Sequence, residues 1–284
     1  MAVLTQEQYL TLRTKLIEFV DQILVAREII SPLRVDEGTQ TYGYDKLSTD
    51  MTAAEIISKY APGSRDIINL DRKSKDVAIL HKGFQVSRID YKSSLKAGVP
   101  IKTIGLNRAT RKVAELEDSI IFLGDATRNL DGVNTVAGNT VTGGLNWGTG
   151  TATDSLNPYT DILNMQTALA EDGFDLKWIS LNPTNYGEAA KKIPASDGTW
   201  MEMIKDIVPS VLKSKTVTEG TILGGDKGQD VAELVIAEDF ELLDPNNDQQ
   251  LVYIFDILHR IVPMFYEYGA VASKSDAFVK ATGI

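Results

Sequence analysis

The sequence predicts an α+β protein. Three observations carry this expectation. Apolar residues at spacings of three and four mark several helices, and runs of β-branched and aromatic residues mark strands between them. The two kinds of element intermix without the regular strand–helix–strand repeat of a doubly wound sheet. At 284 residues, 43% hydrophobic and 24% charged, the chain suits one large domain or two ordinary ones and can build a sizeable core.

The first element is a helix. Thr5 and Gln8 form a capping box. Tyr9, Leu12, Leu16, Phe19 and Ile23 then draw one apolar stripe, and Ser31-Pro32 ends the pattern. The stripe suits either a helix docked on its own core or an arm packed on a neighbouring subunit. Residues 32–50 read as an irregular crossing segment with a short strand at Thr41–Leu47. A second short helix is expected from Thr52, boxed by Glu55 and stopped by Ala61-Pro62-Gly63.

Residues 66–105 differ in character. They combine many charges with Val77, Ile79, Phe84, Val86, Ile89 and Tyr91. In an extended chain Phe84, Val86 and Arg88 share one side. The pattern predicts a long two-stranded excursion with little core of its own. An isolated hairpin is only marginally stable in water, so this one needs something outside itself to pack on.

Asn107 is expected to cap a long helix over 107–123, with Val113, Leu116, Ile120 and Leu123 as its stripe and Gly124 as its stop. Its charge order is unusual: Arg108, Arg111 and Lys112 come first, then Glu115, Glu117 and Asp118. Exposed cations near a helix N-terminus oppose its dipole by about 0.3–1 kcal/mol each. Partners outside the helix are expected to compensate them.

Residues 124–157, rich in Gly, Thr and Asn, read as a surface loop or small β-excursion. Asn157-Pro158 opens a helix faced by Ile162, Met165 and Leu169. A strand at 176–181, a second Asn-Pro start at Asn182-Pro183, and a helix at Trp200–Ile207 follow. Short strands are expected at 211–217, 222–223 and 231–237, then extended aromatic-rich segments at 251–258 and 261–270. The last dozen residues read as a tail.

The search for chemistry excludes most enzyme classes. There is no cysteine, so thiolate metal sites, disulfides and cysteine nucleophiles are absent. The two histidines, His81 and His259, have no ligand-spaced partner and read as surface or packing residues, His259 at a strand end. The glycine strings lack the Lys-Ser/Thr ending of a phosphate cradle, and no Gly-x-Ser-x-Gly elbow occurs. Asp244 and Asp248 flank a turn without the glycine and final glutamate of a calcium loop. No cofactor, metal or catalytic residue is expected.

Charge and termini narrow the partners. Twenty-nine cations against 39 anions give a net charge of −10, and no basic arm offers itself to nucleic acid. The N-terminus lacks a signal-peptide pattern. The most apolar stretch, 251–272, contains Asp256, His259, Arg260, Pro263 and Glu267 and cannot span a membrane. An intracellular protein without a membrane partner is expected.

One stretch carries a resemblance. Thr110 to Asp125, TRKVAELEDSIIFLGD, resembles the long spine helix of encapsulins and tailed-phage major capsid proteins. That family implies the Hong Kong 97 phage-type capsid fold. The divisions it implies are an N-terminal helix and arm at 1–65, an extended E-loop at 66–106, a P-domain at 107–159 and 245–284, and an A-domain at 160–244. It implies a non-enzymatic subunit that assembles with itself, as pentamers and hexamers, into an icosahedral shell. An assembly interface is expected at Phe84, Val86, Arg88, Arg108, Arg111, Lys112, Glu115, Glu117 and Asp118. The long loop at 126–157 and the long tail point toward a viral capsid enclosing DNA, located in the virion and in the host cytoplasm during assembly. An encapsulin compartment enclosing a cargo enzyme is the alternative, and an enzyme or ligand-binding protein with an unrecognised site a remote one. No long N-terminal segment is expected to be cleaved.

Overall fold

The computed structural model describes residues 25–47, 54–57, 65–67, 70–97, 100–143, 147, 157–193, 197–243, 252–268 and 274–284. The first predicted helix lies outside them. So does most of the helix expected from Thr52, of which residues 54–57 are described and are not helical.

Two mixed sheets organise the chain. The first is four-stranded, in the order β1 (Ser31–Arg34), β9 (Ala232–Leu243), β10 (Val252–Phe265) and β4 (Ala78–Ser87). Strand β1 runs parallel to β9, and β10 runs antiparallel to both neighbours. The second is five-stranded, in the order β5 (Ala137–Thr142), β11 (Ser275–Thr282), β8 (Thr221–Gly225), β6 (Trp178–Leu181) and β7 (Ser210–Lys213). A separate ribbon pairs β2 (Thr41–Leu47) with β3 (Leu70–Asp76).

Helices cover these sheets. Helix α1 spans Arg88–Ala97 and α2 spans Ile101–Leu123. The short α3 (Val133–Val136) precedes β5; α4 (Asn157–Glu171), α5 (Pro183–Ala189) and α6 (Trp200–Ile207) belong with the five-stranded sheet. The start signal expected for α5 acts, with Asn182 capping the Thr184 N–H, and α6 opens on a reciprocal capping box of Thr199 and Glu202. One core gathers Leu106, Val113, Ile121 and Phe122 of α2 with Leu234, Phe255, Ile257 and Val262 of the first sheet. A second gathers Ile162, Met165 and Leu169 of α4 with Ile179, Ile222 and Ala281.

Three expectations change. The excursion is not one unit over 66–106. Its first half, β3, pairs with β2, whereas β4 lies against β10 over ten residues and α1 follows it directly. Alternation along Phe84 and Val86 reports a half-buried strand correctly, but it cannot say which partner buries it.

The long helix starts at Ile101, six residues before Asn107. Gly105 lies in these first turns. Its bare backbone is what the packing requires, because a Cβ there would run into the Phe84 ring. The stop at Gly124 is as expected: its φ of 76° favours glycine, and a Cβ would meet the backbone of Leu130 and Gly132.

The C-terminal tail is β11, which sits inside the second sheet between β5 and β8. Its buried residues are mostly small, with Ala277, Val279 and Ala281 fully buried beside Phe278, so hydropathy alone understated it. Residues 274–284 therefore share a sheet with β6, β7 and β8 rather than with β9 and β10.

Candidate assembly interface and the charged node beneath it

The nine residues expected at an interface fall into two groups. Arg88, Arg108, Arg111 and Lys112 are exposed, and Glu115 is half-exposed. They share the outer side of α1 and α2 with Ile89, Leu95, Ile104 and Leu116, which are large apolar residues left in solvent. On α2 the exposed set recurs at 104, 108, 111, 112, 115 and 116, one helix face. Exposed apolar side chains also crowd the β2–β3 ribbon and its connection, at Ile56, Ile57, Ile67 and Leu70.

The other residues turn inward. Phe84 stacks on Phe255 with ring centroids 5.1 Å apart, and Val86 packs against the same core. Glu117 and Asp118 are buried, Glu117 completely. Arg111 and Lys112 find their compensation on their own helix, donating to Glu115 at 3.0 and 2.6 Å. These contacts stand four and three residues apart, the spacing at which helix side chains meet. A neighbouring subunit is not needed to balance them.

Glu117 is the centre of a charged node. Arg27, on the 3₁₀ turn Ala26–Glu28, donates to it from Nε at 2.8 Å and from Nη2 at 3.1 Å. His259 Nε2 lies 3.0 Å from Oε2. Arg27 Nη2 also donates to Asp239 at 3.2 Å, and Arg34 of β1 reaches the other oxygen of Asp239 at 3.4 Å. Burial opposes ionisation of Glu117. The hydrogen bonds and charges of His259 and Arg27 outweigh it and hold the carboxyl below its usual range.

A bulge makes room for this node. Leu258 pairs with Glu241 and Arg260 with Glu238, so two residues of β9, Asp239 and Phe240, oppose His259 alone. The extra residue re-aims the side chains. His259 is consequently fully buried in mid-strand, stacked 4.1 Å from the Phe240 ring. It is neither at a strand end nor at the surface.

Asp118 next door is satisfied by neutral donors. It accepts from the Ala26 N–H at 3.0 Å, from Ser214 Oγ at 3.2 Å and from Thr216 Oγ1 at 2.9 Å. Burial raises its pKa, those donors oppose the rise, and the Glu117 charge adds to it. Two successive carboxylates of α2 thus tie the turn at Ala26–Glu28 to the first sheet on one side and to the segment after β7 on the other. The Glu-Asp pair was visible in the sequence. Its partners lie 90 or more residues away along the chain, except that nothing in the sequence marks them.

The family model described as "Encapsulating protein for peroxidase" matches residues 1–257. The chain belongs to this encapsulin family. No curated protein sequence matches it. Among solved structures the encapsulin chain is similar to the virus-like particle from Pyrococcus furiosus, with a TM-score of 0.68 at 15% identity over 95% of this chain and 97% of that one. It is similar to the capsid of Myoviridae phage XM1, with a TM-score of 0.71 at 14% identity over 89% and 90%. It also resembles the capsid of an empty GTA particle, with a TM-score of 0.65 at 18% identity over 92% and 89%. These structural matches show the shared Hong Kong 97 phage-type fold. The encapsulin chain is a self-assembling structural shell protein, and among its described residues no helix is long and apolar enough to cross a membrane.

Proposed function

We propose that this chain closes into an icosahedral shell that encloses a protein cargo. The family match over residues 1–257 carries this reading, because that family is described by encapsulation of a peroxidase. The net charge of −10 agrees, since an acidic chain gains little from contact with nucleic acid. The shell acts by enclosure.

The contacts between subunits are assigned to two surfaces. The β2–β3 ribbon and its connection expose Leu70 and Ile67 at 71% and 76%, more apolar surface than a two-stranded ribbon keeps in solvent without a partner. A second copy covers it. The α1–α2 face, with Arg88, Arg108, Arg111, Lys112, Ile104 and Leu116, is the other. In domain terms the ribbon at 41–76 takes the E-loop's place, the four-stranded sheet with α2 is the P-domain, and the five-stranded sheet with α4–α6 is the A-domain.

A DNA-filled, phage-like particle is the second reading, favoured by the TM-score of 0.71 to the phage XM1 capsid. Both readings are tested by purifying particles from cells expressing the native gene neighbourhood, treating them with nuclease, and analysing the contents. A single co-purifying protein supports the first reading, and protected DNA of uniform length replaces it with the second. Soluble monomers, when the chain is expressed alone and imaged, overturn both.

A further inference from the structure

We propose that Arg27, Glu117, His259 and Asp239 form a protonation-controlled latch that holds the chain's N-terminal turn, Ala26–Glu28, against the spine helix α2.

The geometry sets the closed condition. Each imidazole nitrogen has an oxygen as its nearest polar neighbour: Nδ1 lies 2.8 Å from the Glu238 carbonyl oxygen and Nε2 lies 3.0 Å from Glu117 Oε2. Longer contacts reach the ring from the Phe240 N–H, which donates to Nδ1, and from Arg27 Nη2, at 3.4 Å each. With Glu117 ionised the node sets the Arg27 guanidinium and the His259 ring against the carboxyl groups of Glu117 and Asp239.

The groups facing His259 come from every element around it. Glu117 belongs to α2, with Asp118 beside it. Arg27 belongs to the turn. Asp239 and the Glu238 carbonyl belong to β9, and Arg34 of β1 acts through Asp239. Arg260 follows His259 but turns away, donating to the carbonyls of Glu37 and Thr39. Apart from the Ala26 N–H on Asp118, the polar ties of the turn to the rest of the fold all pass through Arg27 among the described contacts.

Protonating Glu117 opens the latch. It removes the charge that binds Arg27 and the His259 ring, and a buried polar group left poorly paired is costly. The turn then loosens while β9 and β10 keep their ladder. Arg27 and His259 lower the Glu117 pKa against the opposing effect of its burial, which agrees with a closed node near neutrality.

Hydrogen exchange on assembled particles tests this across a pH series, with rates corrected for intrinsic chemistry. The amides of Ala26–Glu28 are expected to exchange at least about ten-fold faster at the acid end than near neutrality. Those of β11 serve as the reference and stay level. Arg27→Met, at a side chain 18% exposed, keeps the fold and removes the dependence, leaving the turn fast throughout. His259→Phe preserves the stacking on Phe240 and should act alike; if it does not fold, Arg27→Met suffices alone. The proposal is overturned if the turn and β11 exchange in parallel at every pH, or if Arg27→Met retains the wild-type profile.

Discussion

Glu117→Gln is the substitution that most directly probes the buried node. The side chain is fully buried and accepts three hydrogen bonds, two from Arg27 and one from His259. Glutamine keeps the volume, removes the charge, and replaces one acceptor by an NH₂ that must face a donor. Removing one partner of a buried ion pair costs about 3–5 kcal/mol. Arg27 is 18% exposed and keeps Asp239 as a second carboxylate, which places the expectation at the low end, about 3 kcal/mol. For a chain of this size that corresponds to a fall of about 5 °C in the unfolding midpoint. Thermal scans of variant and wild-type particles at one fixed rate measure it. Asp118→Asn is the control one residue along. Its partners Ser214 and Thr216 are hydroxyls that can turn round and accept, so the cost should stay near about 1 kcal/mol. The pH dependence separates them further. Glu117 has its folded pKa lowered, so its contribution is complete above the ordinary carboxylate range and is lost as pH falls through the lowered value. Asp118 has its pKa raised, so acidification relieves a cost instead. Glu117→Gln should therefore flatten the acid limb of stability, and Asp118→Asn should steepen it. A Glu117→Gln protein within about 0.5 kcal/mol of wild type, or less damaged than Asp118→Asn, would refute this account.

Other expectations follow from the packing. Gly105→Ala should destabilise by about 1–2 kcal/mol despite alanine's better helix propensity, because its methyl meets the Phe84 ring; adding Phe84→Leu should recover most of the loss in denaturant titrations. Leu70→Glu, on the exposed ribbon, should leave the subunit's circular dichroism unchanged while size-exclusion chromatography shows shells replaced by small species. Arg111→Glu should reduce shell yield more than subunit stability, since on the helix it loses only an exposed pair with Glu115; equal losses would remove the α2 face from the interface. Deleting residues 274–284 should abolish soluble expression, because it removes a central strand rather than a tail.

The sequence by itself determined the α+β class, the cap-and-proline start of α5, the stop of α2 at Gly124, and the absence of thiol chemistry. Each of these rests on residues within a few positions of one another, which is the range over which periodicity, capping and turn chemistry act. The stretch 110–125 also carried the family likeness, because a long helix with an outer charged face and an inner apolar one leaves a recognisable order of residues. Tertiary structure decided the rest. Phe84 and Val86 were legible as a strand face, but only pairing with β10 turned that face inward. Gly105 drew no notice in the sequence, and only the Phe84 ring explains its bare backbone. Small residues in β11 hid a central strand, since alanine and valine bury little area each and need a sheet on both sides to matter. Glu117 stood out only in the charge order of its helix; it became the centre of the fold's charged node when a turn 90 residues before it and a bulged strand 142 residues after it supplied its partners.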